Sequence, residues 1–137
     1  MSTYIRLEDG RVWGTTNGLF DAVLEAAAAE IARRADSLDG LAEWLLAQRC
    51  EVLGAGVGHL DLREMSPRAC VEFKRAVISA REVLSRDLTA VGLEHLSVLM
   101  RMWDSIAQGE PPEALTSAHW RIVPHKGTRR GPGWPSG

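Results

Sequence analysis

Cysteine is scarce in this sequence, with only Cys50 and Cys70 among 137 residues. Both lie in apolar surroundings, where a free thiol packs as a small hydrophobe, so they are expected to be reduced core residues rather than a disulfide or a metal pair. The four histidines, His59, His95, His119 and His125, are scattered singly. There is no His-x-x-x-His, no Cys-x-x-Cys and no carboxylate at ligand spacing beside them, so no metal and no cofactor is expected. A Gly-x-Ser-x-Gly elbow is missing too, which removes the usual signature of a serine hydrolase. The run Gly54-Ala55-Gly56-Val57-Gly58 lacks the lysine, the hydroxyl residue and the following helix of a phosphate-binding loop, and reads as a turn leading into a strand. No small-molecule ligand is expected. Long apolar runs are absent as well. Stretches such as Ala26 to Ala29 fall far short of the roughly 20 residues that cross a bilayer. The N-terminus shows neither a charged leader nor an apolar signal core, which reads as cytoplasmic.

What remains is the composition of an ordinary globular domain, 45% apolar and 25% charged. The length suits one folded domain. Charge is distributed unevenly. All 18 acidic residues precede position 121, whereas Arg121, Lys126, Arg129 and Arg130 lie at or beyond it, so an acidic body is joined to a basic end. An acidic surface repels phosphate backbones and attracts cationic proteins, so nucleic acid is not an expected partner of the body. Gly127, Gly131, Pro132, Gly133, Pro135 and Gly137 deny regular structure to the end of the chain, predicting a globular domain over 1–123 and a flexible basic tail over 124–137.

Periodicity predicts an α+β fold, predominantly helical, with about four amphipathic helices packed on a small antiparallel sheet. Asp9-Gly10 between Tyr4–Leu7 and Arg11–Trp13 is a hairpin signal. Thr16 or Asn17 is placed to cap a helix over 19–34 whose apolar stripe includes Phe20, Val23, Leu24 and Ile31. A second helix is expected over about 38–49. Residues 59–63 alternate like a strand with one buried face, a third strand for the hairpin's sheet. Ser66-Pro67 is the clearest helix start, since serine caps free amides and proline at the first helical position loses no hydrogen bond. The helix it opens, 67–86, is expected to bury Cys70, Phe73, Val77, Ala80 and Leu84, with Val71 and Ile78 widening the stripe. A last helix over about 93–108 should end at Gly109. A short strand is conceivable near 118–123.

Candidate functional residues are therefore surface residues. Asp61, Arg63 and Glu64 form a charged edge between a strand and a capped helix, a rigid place from which to meet a partner. The sequence holds five tryptophans. Trp44 and Trp103 fall near helix stripes and are expected in the core. Trp13 and Trp120 sit at strand-like ends, where a half-exposed indole can anchor an interface.

The segment Tyr4-Ile5-Arg6-Leu7-Glu8-Asp9-Gly10-Arg11-Val12-Trp13-Gly14, together with Leu60-Asp61-Leu62-Arg63-Glu64-Met65-Ser66-Pro67 followed by Phe73, Ala76 and Ala80, resembles the small bacterial immunity proteins of polymorphic and contact-dependent toxin systems. The likeness covers about half the chain. It implies a non-enzymatic cytoplasmic inhibitor that binds a cognate toxin directly, with Trp13, Asp61, Arg63, Glu64 and Trp120 on the binding surface and a cationic toxin as partner. The basic Gly/Pro end departs from that pattern. Two other classes are carried beside it: a self-associating adaptor whose tail contacts nucleic acid, and an enzyme using His59 and Asp61 together.

Overall fold

The hairpin forms where Asp9-Gly10 places it. Strand β1 (Thr3–Arg6) and strand β2 (Val12–Thr15) pair antiparallel. The loop between them is closed by Leu7 N–H donating to the Arg11 carbonyl at 2.7 Å and Gly10 N–H to the Leu7 carbonyl at 2.9 Å. Gly10 sits at φ 98°, a conformation that a Cβ would penalise. Asp9 turns back to accept from the backbone and the guanidinium of Arg11. The computed structural model describes residues 3–50 and 58–110.

Among these residues, strand β3 (His59–Asp61) joins the other edge of β1, giving the order β2-β1-β3. The expectation of an all-antiparallel sheet is corrected here, because β3 runs parallel to β1. The physical reason lies in the connection. A parallel neighbour needs a long crossover, and the chain between β2 and β3 supplies one whose described residues include two helices.

Those helices are α1 (Asn17–Ala32) and α2 (Leu41–Ala47). Thr16 caps α1 by accepting from Leu19 N–H at 3.2 Å, and the stripe Phe20, Val23, Leu24, Ala27 and Ile31 is buried. Helix α2 starts three residues later than its hydrophobic spacing predicts. Gly40 stands before it at φ 81°, a left-handed angle that interrupts a helix begun at Leu38, and the Glu72 carboxylate accepts from Leu38 N–H at 3.0 Å. A 3-10 turn over Leu62–Glu64 then leads to helix α3 (Pro67–Arg86), with Ser66 Oγ accepting from Ala69 N–H at 3.2 Å as the sequence predicts. Helix α4 (Ala90–Ala107) follows.

The core lies where α1 meets α3, α2 and the inner face of the sheet. In the sheet Ile5 stands opposite both Trp13 and Leu60, and all three are buried. Each large apolar side chain removed from water in this way contributes about 1.5–3 kcal/mol. Cys50 and Cys70 are free and buried, as expected.

By internal contacts the chain divides into a unit over 1–98 and a unit over 99–137. In the second, Gly109 at φ 78° ends α4 as its sequence predicts. Gly109 N–H donates to the Ile106 carbonyl and Glu110 N–H to the Ser105 carbonyl, the paired bonds of a Schellman cap. The expected domain end at 123, the tail over 124–137, the strand near 118–123 and Trp120 lie outside the described residues, as does most of the glycine run 54–58.

Candidate functional site

Alternation along β1 and β3 sends every second residue to the side of the sheet away from the core. Register makes that face explicit: Tyr4 lies opposite Gly14 and His59, and Arg6 opposite Val12 and Asp61. Gly14 leaves open space beside Tyr4, since an added Cβ there would meet nothing within 4 Å. The Tyr4 and His59 rings stack with centroids 5.7 Å apart, and the Arg6 guanidinium lies 5.9 Å from the Tyr4 centroid. Cross-strand pairs of this kind each contribute some tenths of a kcal/mol and hold one another's rotamers.

Of the residues expected to bind a partner, Asp61 ends β3 on this face, and Arg63 and Glu64 follow it in the 3-10 turn. Asp61 accepts from Arg63 three times, from the backbone N–H at 3.0 Å, from Nε at 3.1 Å and from Nη2 at 2.9 Å. Arg6 Nε lies 3.8 Å from the same carboxylate. The hydrogen bond from the Arg63 guanidinium, helped by its backbone N–H and by both arginine charges, holds the Asp61 carboxyl below its ordinary range. Arg63 and Glu64 themselves are exposed. Asp61 and His59 share a face without working as a pair: the carboxylate is turned to arginines, and the imidazole is stacked on Tyr4.

Trp13 is corrected. Its side chain is not a half-exposed anchor; it is 2% exposed, and its indole N–H donates to the His95 carbonyl at 2.8 Å. Inward register at β2 decides this, since Trp13 shares its side of the sheet with Ile5. Trp44, expected in the core, is 44% exposed on α2, beside rather than within the stripe of Leu41, Ala42 and Leu45. Trp103 is buried, as expected. Tyr4, Arg6 and His59 were not singled out as partner residues by the sequence reading. The signal for them was the same two-residue alternation that marked Asp61, read on one strand but not carried across to its neighbour.

A concave feature of about 740 Å³ lies between the turn after α1 and the first half of α3. Its walls are tied together. Arg34 donates to Ser79 Oγ at 3.2 Å, and Arg68 donates to Glu72 at 2.8 Å and to the Asp36 carbonyl at 2.6 Å. Arg34, Arg68 and Arg75 stand on its walls with Asp36 and Glu72, so both signs of charge line this groove.

The chain's two thiols are both buried. Burial, followed by the Asp21 carboxylate, raises the Cys50 thiol, and burial followed by Glu8 raises Cys70. Both are kept neutral, the opposite of an activated nucleophile. Among the described residues no three His, Cys, Asp or Glu side chains converge as a metal site, and no helix is long and apolar enough to cross a membrane. No family model, curated protein or solved structure matches this chain.

Proposed function

We propose that this chain is a non-enzymatic, stoichiometric inhibitor of the immunity-protein type, which binds a cognate cationic toxin domain in the cytoplasm through the open face of its sheet. The observation that supports this reading is the order already built into that face. Tyr4, Arg6, His59, Asp61 and Arg63 hold one another by stacking and ion pairing before any partner arrives. Side chains fixed in advance lose little conformational freedom on binding, and a tyrosine flanked by arginines is the residue type that dominates interface energetics. The acidic balance of the chain before residue 121 steers a cationic partner toward it.

The test begins with the open reading frame immediately upstream. Its product should be a large secreted protein with a toxin-like C-terminal domain, and that domain, purified, should form a 1:1 complex with this chain in size-exclusion chromatography. Tyr4→Ala and Asp61→Ala should each weaken binding by about tenfold or more in calorimetry, a loss of about 1.4 kcal/mol, with far-UV circular dichroism unchanged. Absence of a complex, or affinities untouched by both substitutions, sinks the reading.

A further inference from the structure

The buried residues of α3 occupy one side of the helix, and the side directly opposite carries a regular seam. Val71, Arg75, Ile78 and Glu82 follow one another at steps of four, three and four, the spacing of residues that meet another helix along a shared line. Val71 and Ile78 are 46% and 47% exposed, although their sequence pattern predicts that they widen the buried stripe. Arg75 and Glu82 are exposed, and neither makes a hydrogen bond or ion pair among the described residues. Other charges nearby are engaged: Arg68 with Glu72, Arg34 with Glu30 and Ser79. Seven residues separate Arg75 from Glu82, about 10.5 Å along the axis, so the two cannot reach each other within the helix.

We propose that this seam is a self-association surface whose occupant is the α3 seam of a second copy of the chain, running antiparallel. The charge order argues for it. A two-fold axis passing beside Ile78 and Ser79 places Arg75 against Glu82 of the second copy and Glu82 against its Arg75, giving two reciprocal ion pairs on either side of an Ile78 contact. The same operation lays Val71 along the aliphatic stem of Arg86 from the second copy. A parallel arrangement would instead oppose arginine to arginine and glutamate to glutamate. Closed two-fold interfaces require a patch complementary to itself, and a cation and an anion placed symmetrically about an apolar centre meet that requirement. One helix seam covers much less than the roughly 800 Å² per partner of a standard interface, so the association is weak, reversible and dependent on concentration. It uses no residue of the sheet face and stands apart from the inhibitor reading.

Sedimentation of the full chain over a concentration series reaching about 1 mM, the weak end of measurable association, tests it. The mass average should climb from monomer toward dimer and fall again as salt is added, because exposed ion pairs are screened. Arg75→Glu and Glu82→Arg should each weaken dimerisation by about tenfold or more, a loss of about 1.4 kcal/mol, and the double exchange Arg75→Glu/Glu82→Arg should restore it. These positions are exposed, so circular dichroism should report the same helicity for all four proteins. A monomer at every concentration, a dimer indifferent to the single substitutions, or a double exchange that fails to recover would each overturn the proposal.

Discussion

The open face of the sheet and the outer seam of α3 are assembled from similar residues, cations and anions interleaved with a few exposed apolar groups, yet they differ in what their charges do. On the sheet, Asp61 is held by Arg63 and approached by Arg6, and Tyr4 is packed against His59. On α3, Arg75 and Glu82 face water, with Ile78 bare between them and Val71 bare one turn before Arg75. The first surface is ordered by its own chain. The second carries complementary charges that cannot meet without another molecule. Composition alone does not distinguish a wired surface from an unsatisfied one; strand pairing and helical spacing do.

The largest expected effect separates the outer seam of α3 from its inner stripe. Phe73 is fully buried, and Phe73→Ala should cost about 3–5 kcal/mol, a large share of the 5–15 kcal/mol that stabilises a typical domain. Ile78→Ala, five positions on, should change stability by no more than about 0.5 kcal/mol. Urea denaturation followed by circular dichroism, at concentrations where the chain is monomeric, gives both values. A cost above about 1 kcal/mol for Ile78→Ala would mean that the seam belongs to this chain's own core, and the contrast between the two surfaces would fail.

A smaller effect sharpens the other side of the comparison. Gly58 delivers the chain into β3, accepting from Tyr4 N–H at 3.1 Å and donating to Thr3 Oγ1 at 3.2 Å. A Cβ there would stand 2.6 Å from Cys50 Sγ and 2.7 Å from Phe20 Cε2, closer than packed atoms approach. Gly58→Ala should therefore cost about 1–3 kcal/mol through overpacking. Adding Cys50→Ala should recover part of that loss and not all of it, because the Phe20 ring remains in the core. Full recovery, or no loss at all, would show that β3 is seated more loosely than the sheet face requires.

Much of this fold was legible in the sequence because local signals and global burial agree. Asp9-Gly10, Thr16, Ser66-Pro67 and Gly109 each sit at the turn or cap their chemistry predicts. Parallel pairing of β3 was not legible, since alternation specifies which side of a strand is buried and says nothing about the direction of its neighbour. Gly40 shifts the start of α2 through a backbone angle that apolar spacing does not encode. Trp13 and Trp44 exchange their expected places for a related reason: a strand end suggests exposure for the first and closeness to a helix stripe suggests burial for the second, whereas the facing direction of each side chain decides it. The candidate face was legible in part. Asp61, Arg63 and Glu64 are local to one another, while Tyr4 and Arg6 join them only through pairing across 55 residues, as Tyr4 meets His59.

The smallest expected effect asks whether the sheet face is wired in solution. Arg63 holds the folded Asp61 carboxyl below the ordinary value of about 3.9 that it takes when unfolded. A carboxyl depressed on folding stabilises the protein above its unfolded pKa, and that contribution disappears as pH falls through the lower folded value. Asp61→Asn should thus cost under about 1 kcal/mol at neutral pH, the scale of an ion pair near the surface, and the gap between variant and wild type should close as the pH is lowered below about 4. Urea midpoints across the acid range measure that convergence. A gap that persisted unchanged into strong acid would assign the loss to something other than the carboxylate's charge, and the sheet face would then be no more wired than the seam on α3.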